Sequence, residues 1–420
     1  MIIIMTSSTL TSLKLMLDRH DIFGLVHKLH QECLPKVEPG FKVCRMILEQ
    51  LLTNENSSKQ SSIQKFKNSE FLADFIWEKL NTGHYSNVLP EYRQIYSLIS
   101  MVKVLYLVYS LDHDTLNPDV LKDLIKILDM GLIMGGPLEN DANSKLAGKL
   151  HFVIEQKTEK DEFLVKKRKI EYTCSLIGQA PNVDQIDEFE DLDLSEFVER
   201  YRIPERNFKI RDFCQTWKAF SKWNLDYFKR KFGFRTVPIE IGNKYTDESW
   251  TQTLMTINEF ITDFIEDPKA KSVGYLAQHE IFYQIPELKE DLEIPDFCYS
   301  ENDFEPNLNF WFGPKNTTTP LHTDPKHNVL VQIFGYKYVR LYPQKDSGFL
   351  YPNPGMLLNN TSMIDIEEDF EKLVKTFPDF AKAKGLECIL GPGDLLYIPP
   401  KCWHFVKSLS TSCSISFWFD

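Results

Sequence analysis

The sequence predicts an antiparallel β sandwich or barrel in its C-terminal half, preceded by an all-α module. Three observations carry this. From Asn307 onward, short apolar runs alternate with Gly and Pro turns, the texture of antiparallel strands rather than of βαβ units. Between about residues 10 and 160, apolar residues recur at helical spacing. Between the two textures, Asp184 to Glu199 carries eight acids and no base.

At 420 residues the chain is long enough for two domains. Its 30 Phe and 17 Tyr provide for a large core, and 26% charged residues is ordinary for a soluble globular protein. A net charge of −12 argues against broad nucleic-acid binding, so no direct nucleic-acid partner is expected. The eight Cys are scattered without a CxxC pair, which fits reduced thiols rather than a disulfide framework or zinc knuckle. The apolar start Met1-Ile2-Ile3-Ile4-Met5 is too short for a signal peptide and lacks a basic flank. No apolar run approaches a membrane span. The expected location is nuclear and/or cytoplasmic, not secreted and not membrane-bound. The sequon at Asn359-Asn360-Thr361 then carries no weight.

In chain order, Phe41–Leu52, Tyr92–Leu111 and Val120–Leu132 each place apolar residues on one helical face. Pro90 and Pro118 stand where helices begin, and Asn54–Ser62 reads as a loop. This module, residues 1–170, serves either partner binding or support. Lys166-Lys167-Arg168-Lys169 reads as a nuclear import signal or as a solvated helix end. The acidic run reads as a solvated, flexible linker, so 171–200 is taken as linker and 201–420 as the second domain.

In that domain Asn224–Phe232 reads as a helix and Thr236–Ile241 as a strand. A helix capped by Asp247 through Trp250 and another over Thr256–Phe264 follow. Strands are expected from Gly274, at Leu308–Phe312, and at Asn328–Phe334 pairing through Gly335 with Tyr336–Tyr342 as a hairpin. Cys388–Leu390, Asp394–Ile398 and Ser412–Phe419 complete the set, with a helical insert over Ile366–Lys384.

The chemistry centres on Pro320-Leu321-His322-Thr323-Asp324. On a strand, residues two apart share a face, so His322 and Asp324 aim at one point. His404 follows the turn Gly391-Pro392-Gly393 and the pair Pro399-Pro400, near the barrel mouth and opposite the strand of His322. Two His and one carboxylate with open positions suit non-haem Fe(II) that binds a co-substrate and O2. HxD alone is short, and a turn with a cap is the plain alternative. Cys402 is not expected as a ligand. In Tyr336–Tyr342, Lys337 shares a face with Val339 and Leu341. An inward lysine needs an anion, which a metal-chelating dicarboxylate supplies; the alternative is a solvated lysine on an outward face.

These stretches resemble the JmjC (jumonji C) family of Fe(II)- and 2-oxoglutarate-dependent oxygenases. The resemblance covers Lys222 to Asp420. It is carried by Arg235-Thr-Val-Pro-Ile-Glu-Ile-Gly242, Gly274-Tyr-Leu-Ala-Gln-His279, Trp311-Phe-Gly-Pro314, Pro320-Leu-His-Thr-Asp-Pro325, Trp403-His404 and Ser414-Ile-Ser-Phe-Trp418. Residues 1 to about 170 match only weakly. The resemblance implies a double-stranded β-helix of the jelly-roll, cupin-like kind, with its core at about 270–420. It implies that His322, Asp324 and His404 ligate iron. Lys337 would meet the distal carboxylate of 2-oxoglutarate, with Tyr275, Thr319, Asn328 and Trp418 as further co-substrate contacts. Glu240 would face a substrate guanidinium or be an ordinary exposed carboxylate. Trp311 would touch substrate or fill the core.

The reaction so implied couples oxidative decarboxylation of 2-oxoglutarate to hydroxylation of a protein. The first expectation is an arginine C–H in a protein or peptide, a histone among the candidates. The second is an N-methyl group of lysine, giving demethylation. A peptide-binding adaptor without turnover is the third.

Overall fold

The computed structural model describes residues 10–11, 13–14, 58–83, 87–112, 115–156, 172–242, 250–355 and 358–420. The expected helix Phe41–Leu52, the basic cluster Lys166–Lys169 and the cap Asp247 lie outside them. Among the described residues no helix is long and apolar enough to cross a membrane. The chain forms two compact units, and a single cut does not separate them. Residues 229–237 and 283–286 group with the helices of 1–163; residues 164–228, 238–282 and 287–420 form the second unit.

The first unit is built on α1 (Lys59–Leu80), α2 (Pro90–Ser110), α3 (Pro118–Gly135) and α4 (Ala142–Glu155). Ser58 caps α1 through a 3.3 Å bond from the Ser61 N–H, so Lys59–Ser62 is helix rather than the expected loop. Pro90 and Pro118 do open their helices. Asn117 accepts from the N–H groups of Asp119 and Val120, quenching donors that a helix start leaves free. Helices α2 and α3 approach closely: a Cβ at Gly131 would lie 2.8 Å from that of Ser100. The core joins Val102, Leu105 and Val108 of α2 to Leu121, Leu124 and Leu128 of α3 and Leu146 and Leu150 of α4.

Within this unit Arg235 is 1% exposed. Its Nε and Nη2 donate to Asp129 Oδ1 at 2.9 and 2.7 Å, and Nη2 also donates to the Gln284 carbonyl at 2.6 Å. The Thr236 N–H donates to Asp129 Oδ2 at 2.7 Å. A bidentate guanidinium–carboxylate pair, with its remaining oxygen engaged, is what makes a buried charge tolerable.

The second unit holds two sheets. One orders β1 (Val183–Gln185), β11 (Gly385–Leu390), β10 (Lys337–Tyr342), β13 (Trp403–Ser408) and β8 (Thr318–Thr323). The other orders β2 (Glu188–Phe189), β3 (Phe208–Ile210), β12 (Leu395–Ile398), β9 (His327–Phe334), β14 (Ser412–Phe419), β7 (Asn307–Gly313), β6 (Gly274–His279), β4 (Thr236–Ile241) and β5 (Thr251–Thr256). The architecture is the expected cupin-like one, with a sheet-rich core and an N-terminal helical region. Between the sheets, Val339 and Leu341 of β10 pack against Leu330 of β9 and Leu396 and Ile398 of β12. The other face of β10, Tyr338 and Tyr342, packs under Leu373 and Phe380 of the insert. That insert is a helix over Phe370–Thr376 and a 3-10 turn over Pro378–Lys382.

Three expectations are corrected. β9 and β10 do not pair as a hairpin: β9 lies between β12 and β14, and β10 between β11 and β13. The chain crosses between sheets at Gly335, whose φ is +76° and where a Cβ would meet the Thr411 carbonyl at 2.1 Å. All six β10 residues are buried, with β11 and β13 as its edge neighbours. The acidic run is not a flexible linker. It forms β1, parallel to β11, β2, parallel to β3, and a helix at Leu194–Phe197 capped by Asp193. Its acids meet fixed bases: Glu188 pairs with Lys209 and Arg211, and Asp187 with Arg206. Finally, Trp250 precedes strand β5 rather than ending a helix. The following helix starts where expected, with Thr256 and Glu259 forming a capping box.

Candidate metal centre and adjoining cavities

β8 delivers His322 and β13 delivers His404. The two strands are hydrogen-bonded neighbours with these residues in register, so His404 lies beside His322 rather than opposite it. Their ring centroids are 4.1 Å apart. Asp324 lies just beyond the end of β8, yet its carboxylate reaches both rings, 3.7 Å from His322 Nε2 and 3.4 Å from His404 Nε2. One ligand atom from each residue fits within a 4.8 Å cluster.

The tautomers follow from the backbone. His322 Nδ1 lies 2.8 Å from the Pro320 carbonyl and His404 Nδ1 lies 3.0 Å from the Cys402 carbonyl. A carbonyl only accepts, so each Nδ1 carries a proton and each Nε2 faces Asp324, where a neutral ring offers a lone pair and a protonated ring a hydrogen bond. Two Nε2 lone pairs and a carboxylate at one point fit a divalent metal, and the fixed Nδ1–H bonds are the usual outer support of such ligands. Burial, then the neighbouring imidazole, pushes His322 down to about 4. Burial opposes charge on His404 too, but its hydrogen bond and attraction to Asp324 outweigh this and raise it. Burial would raise Asp324, but His404 and then His322 hold it below its usual value. Cys402 points away: its thiol lies 3.3 Å from the Tyr342 carbonyl, and burial pushes it up to about 12.

Beside the triad an inner cavity is lined by Tyr275, Trp311, Thr319, Asn328, Lys337 and Trp418, with His322, Asp324 and His404. Lys337 is inward and 2% exposed, not solvated. Its ammonium donates to the Tyr275 hydroxyl at 3.3 Å. Burial drags it down to about 7 and pushes the Tyr275 phenol well above its usual value. Asn328 and Trp418 face each other across β9 and β14. Asn328 Oδ1 and Trp418 Nε1 are buried without a partner among the described residues. An ammonium with no carboxylate partner and an indole N–H with no acceptor around one space fit a carboxylate-bearing co-substrate.

A larger outer cavity of about 500 Å³ opens from His322 and Asp324. Glu240 and Trp250 line it with Trp311, Gln278, Asn360 and Trp418. Burial raises Glu240 above its usual value, partly offset by the Trp250 indole N–H donating at 3.3 Å. Trp311 is a wall of both cavities, with its indole N–H donating to Ser416 Oγ at 2.9 Å. All ten residues singled out from the sequence therefore line one or both cavities. Several lining residues were not foreseen. Ser416, Leu330 and Val406 stand two residues from Trp418, Asn328 and His404, so strand parity could have found them. Gln278 breaks parity with Tyr275: the ladder to β7 shifts between Leu276 and His279, and Gln278 has φ +47°. Asn360 sits in a loop whose sequon says nothing about a cavity.

Two family models match the chain: a cupin-like domain over residues 194–420, and KDM8-like N-terminal ARM repeats over residues 52–164. Lysine-specific demethylase 8 of Danio rerio is 39% identical over 361 residues, covering 84% of this chain and 87% of the relative. Jumonji C domain-containing protein 5 of Drosophila melanogaster is 35% identical over 357 residues, covering 83% and 85%. The human bifunctional peptidase and (3S)-lysyl hydroxylase JMJD7 is 26% identical over 254 residues, covering 53% and 80%. With these matches over a cupin core that gathers His322, Asp324 and His404, the chain belongs to the cupin-like JmjC family, whose members are Fe(II)- and 2-oxoglutarate-dependent oxygenases.

Proposed function

We propose that the protein hydroxylates a C–H bond of an arginine side chain in a protein substrate. His322, Asp324 and His404 would hold Fe(II), and Lys337, Tyr275, Thr319, Asn328 and Trp418 the 2-oxoglutarate. Bound Fe(II), with 2-oxoglutarate and O2, supplies the oxidising power for C–H hydroxylation and leaves succinate and CO2. The chain's own residues do the rest. Lys337 neutralises the distal carboxylate, and that anion in turn keeps its ammonium charged. Trp418 turns its indole N–H toward the same ligand, and Asn328 lines the space beside it. The walls Trp311 and Trp418 limit water near the reacting centre.

The observation that carries the arginine reading is Glu240. Apart from Asp324 it is the one carboxylate lining the outer cavity among the described residues. Burial has already desolvated it, and one indole N–H does not satisfy two carboxylate oxygens. A guanidinium presents two parallel N–H donors to such a group. A trimethylated ammonium presents none. Lysine demethylation is the second reading, supported by the aromatic walls Trp250, Trp311 and Trp418, since aromatic faces attract methylated ammonium, and by the names of several relatives. The ARM-repeat match supports partner binding by the helical unit.

Anaerobic loading with Fe(II) and 2-oxoglutarate, then admission of air, tests this with succinate and peptide mass both followed. Gain of one oxygen on an arginine peptide is the expected result. Loss of methyl groups with formaldehyde from a methyl-lysine peptide would transfer the assignment to demethylation. Succinate no higher than in His322→Ala, with every peptide, would leave a binding module.

A further inference from the structure

The strand that carries His322 is the outer strand of its sheet, with β13 on one side only. Residues 358–362 run along its open edge. The Ser362 N–H donates to the Leu321 carbonyl at 2.8 Å, the Thr323 N–H donates to the Asn360 carbonyl at 2.9 Å, and His322 and Thr361 form a bridge between them. Covering an edge strand is a common need, and backbone contacts alone would meet it. Asn360 adds a second link. Its side-chain Nδ2 donates to the Thr323 carbonyl at 3.1 Å.

Thr323 is the residue between His322 and Asp324, so one residue, Asn360, holds both backbone groups of the spacer between two metal ligands. The location matters because β8 ends at Thr323. Asp324 therefore has no ladder of its own. The Thr323 carbonyl belongs to the peptide plane that leads into Asp324. On the far side the Lys401 N–H donates to the Asp324 carbonyl at 2.7 Å. With both flanking peptides fixed, the Asp324 side chain starts from a set backbone and reaches between the two imidazoles. An asparagine suits this task. Its amide offers an N–H to the carbonyl that the last residue of β8 turns to the open edge, while its own backbone still pairs.

We infer that Asn360 is a positioning residue for the metal centre, acting through the Thr323 peptide to aim Asp324. It touches no ligand atom. It also lines the outer cavity, so the group that fixes the carboxylate ligand stands at the rim where substrate would enter. The inference rests on the metal-site reading above.

The test uses the full chain with Asn360→Asp, which keeps the shape but removes the donor, Asn360→Ala, and Asn359→Ala in the same loop as a control. Amide exchange at Thr323 and Asp324 is followed in metal-free protein, and Co(II) affinity and visible spectrum are measured by titration. Loss of outer support typically weakens metal binding about 10–100-fold. That loss, an altered Co(II) spectrum and faster exchange at Thr323–Asp324 are expected for both Asn360 variants, with unchanged melting of the rest of the chain and wild-type behaviour in Asn359→Ala. Unchanged affinity and spectrum in Asn360→Asp, with the wild type binding Co(II), would reduce Asn360 to an edge cover and overturn the inference. No Co(II) binding by the wild type would instead overturn the metal-site reading beneath it.

Discussion

Arg235, in the helical unit, and Lys337, inside the β unit, are about equally hidden, at 1% and 2% exposure. Their surroundings are opposite. Arg235 has a carboxylate at bidentate distance and a carbonyl beyond it. Lys337 has a phenol hydroxyl at 3.3 Å, and no carboxylate pairs with it among the described residues. Burial alone would predict the same role for both. The partner distinguishes them: a cation matched inside the protein is part of the fold, and a cation left unmatched is waiting for an anion from outside. Unpartnered polar atoms do not make the distinction, since Arg235 Nη1 is one as well as Asn328 Oδ1 and Trp418 Nε1; the charge partner does.

Removing the partner should hurt most where the match is internal. Asp129→Ala leaves the Arg235 charge buried and uncompensated, and is expected to destabilise the protein by about 3–5 kcal/mol, read by chemical denaturation through the helical signal. A loss under about 1 kcal/mol would mean that water reaches Arg235 and the contrast is false.

The smaller and opposite effect belongs to Lys337. Lys337→Met removes an unmatched buried ammonium. It should stabilise the metal-free protein by roughly 1–3 kcal/mol at neutral pH while abolishing the rise in melting temperature that 2-oxoglutarate gives the wild type. Destabilisation by this substitution would place a hidden anion beside Lys337.

A third test, smallest when read per pH unit, sharpens the comparison through pH. Burial puts Lys337 at about 7 in the fold, against 10.5 as its ordinary value. Between those values the unfolded chain holds a proton that the folded chain lacks, so stability should rise with pH across that window, by at most about 1.4 kcal/mol per unit. The slope is read as wild type minus Lys337→Met in metal-free protein. Saturating 2-oxoglutarate should flatten it, because the bound anion keeps the ammonium charged. No difference in slope between the two proteins would show that Lys337 keeps its proton without a ligand.

Much of this arrangement was legible in the residues. Helix starts at Pro90, Pro118 and Thr256 follow from rules that act over a few residues, whereas the local run left Lys337 either inward or solvated. The convergence of His322 with Asp324 follows from such rules too, although Asp324 reaches its place from just outside the strand. Strand pairing was less legible. Gly335 fits a hairpin turn and a step between sheets equally well, and the choice rests on the distant strands β11 and β13 that take the two edges of β10. The acidic run misled because its charge count describes solvation in the absence of bases. Lys209, Arg206 and Arg211, which meet its acids, stand only some twenty residues away, but no periodicity announces the meeting.

By itself, then, the sequence determined the ligand types, the local elements that carry them and the family to which they belong, because side-chain chemistry and short-range periodicity are written in neighbouring residues. Only the tertiary structure decided that His404 stands beside His322, that Lys337 goes unmatched where Arg235 is matched, and that Asn360 braces the strand end at Asp324. Each of these depends on which distant segments share an edge or a cavity, and that is set by burial over the whole unit rather than by any local run.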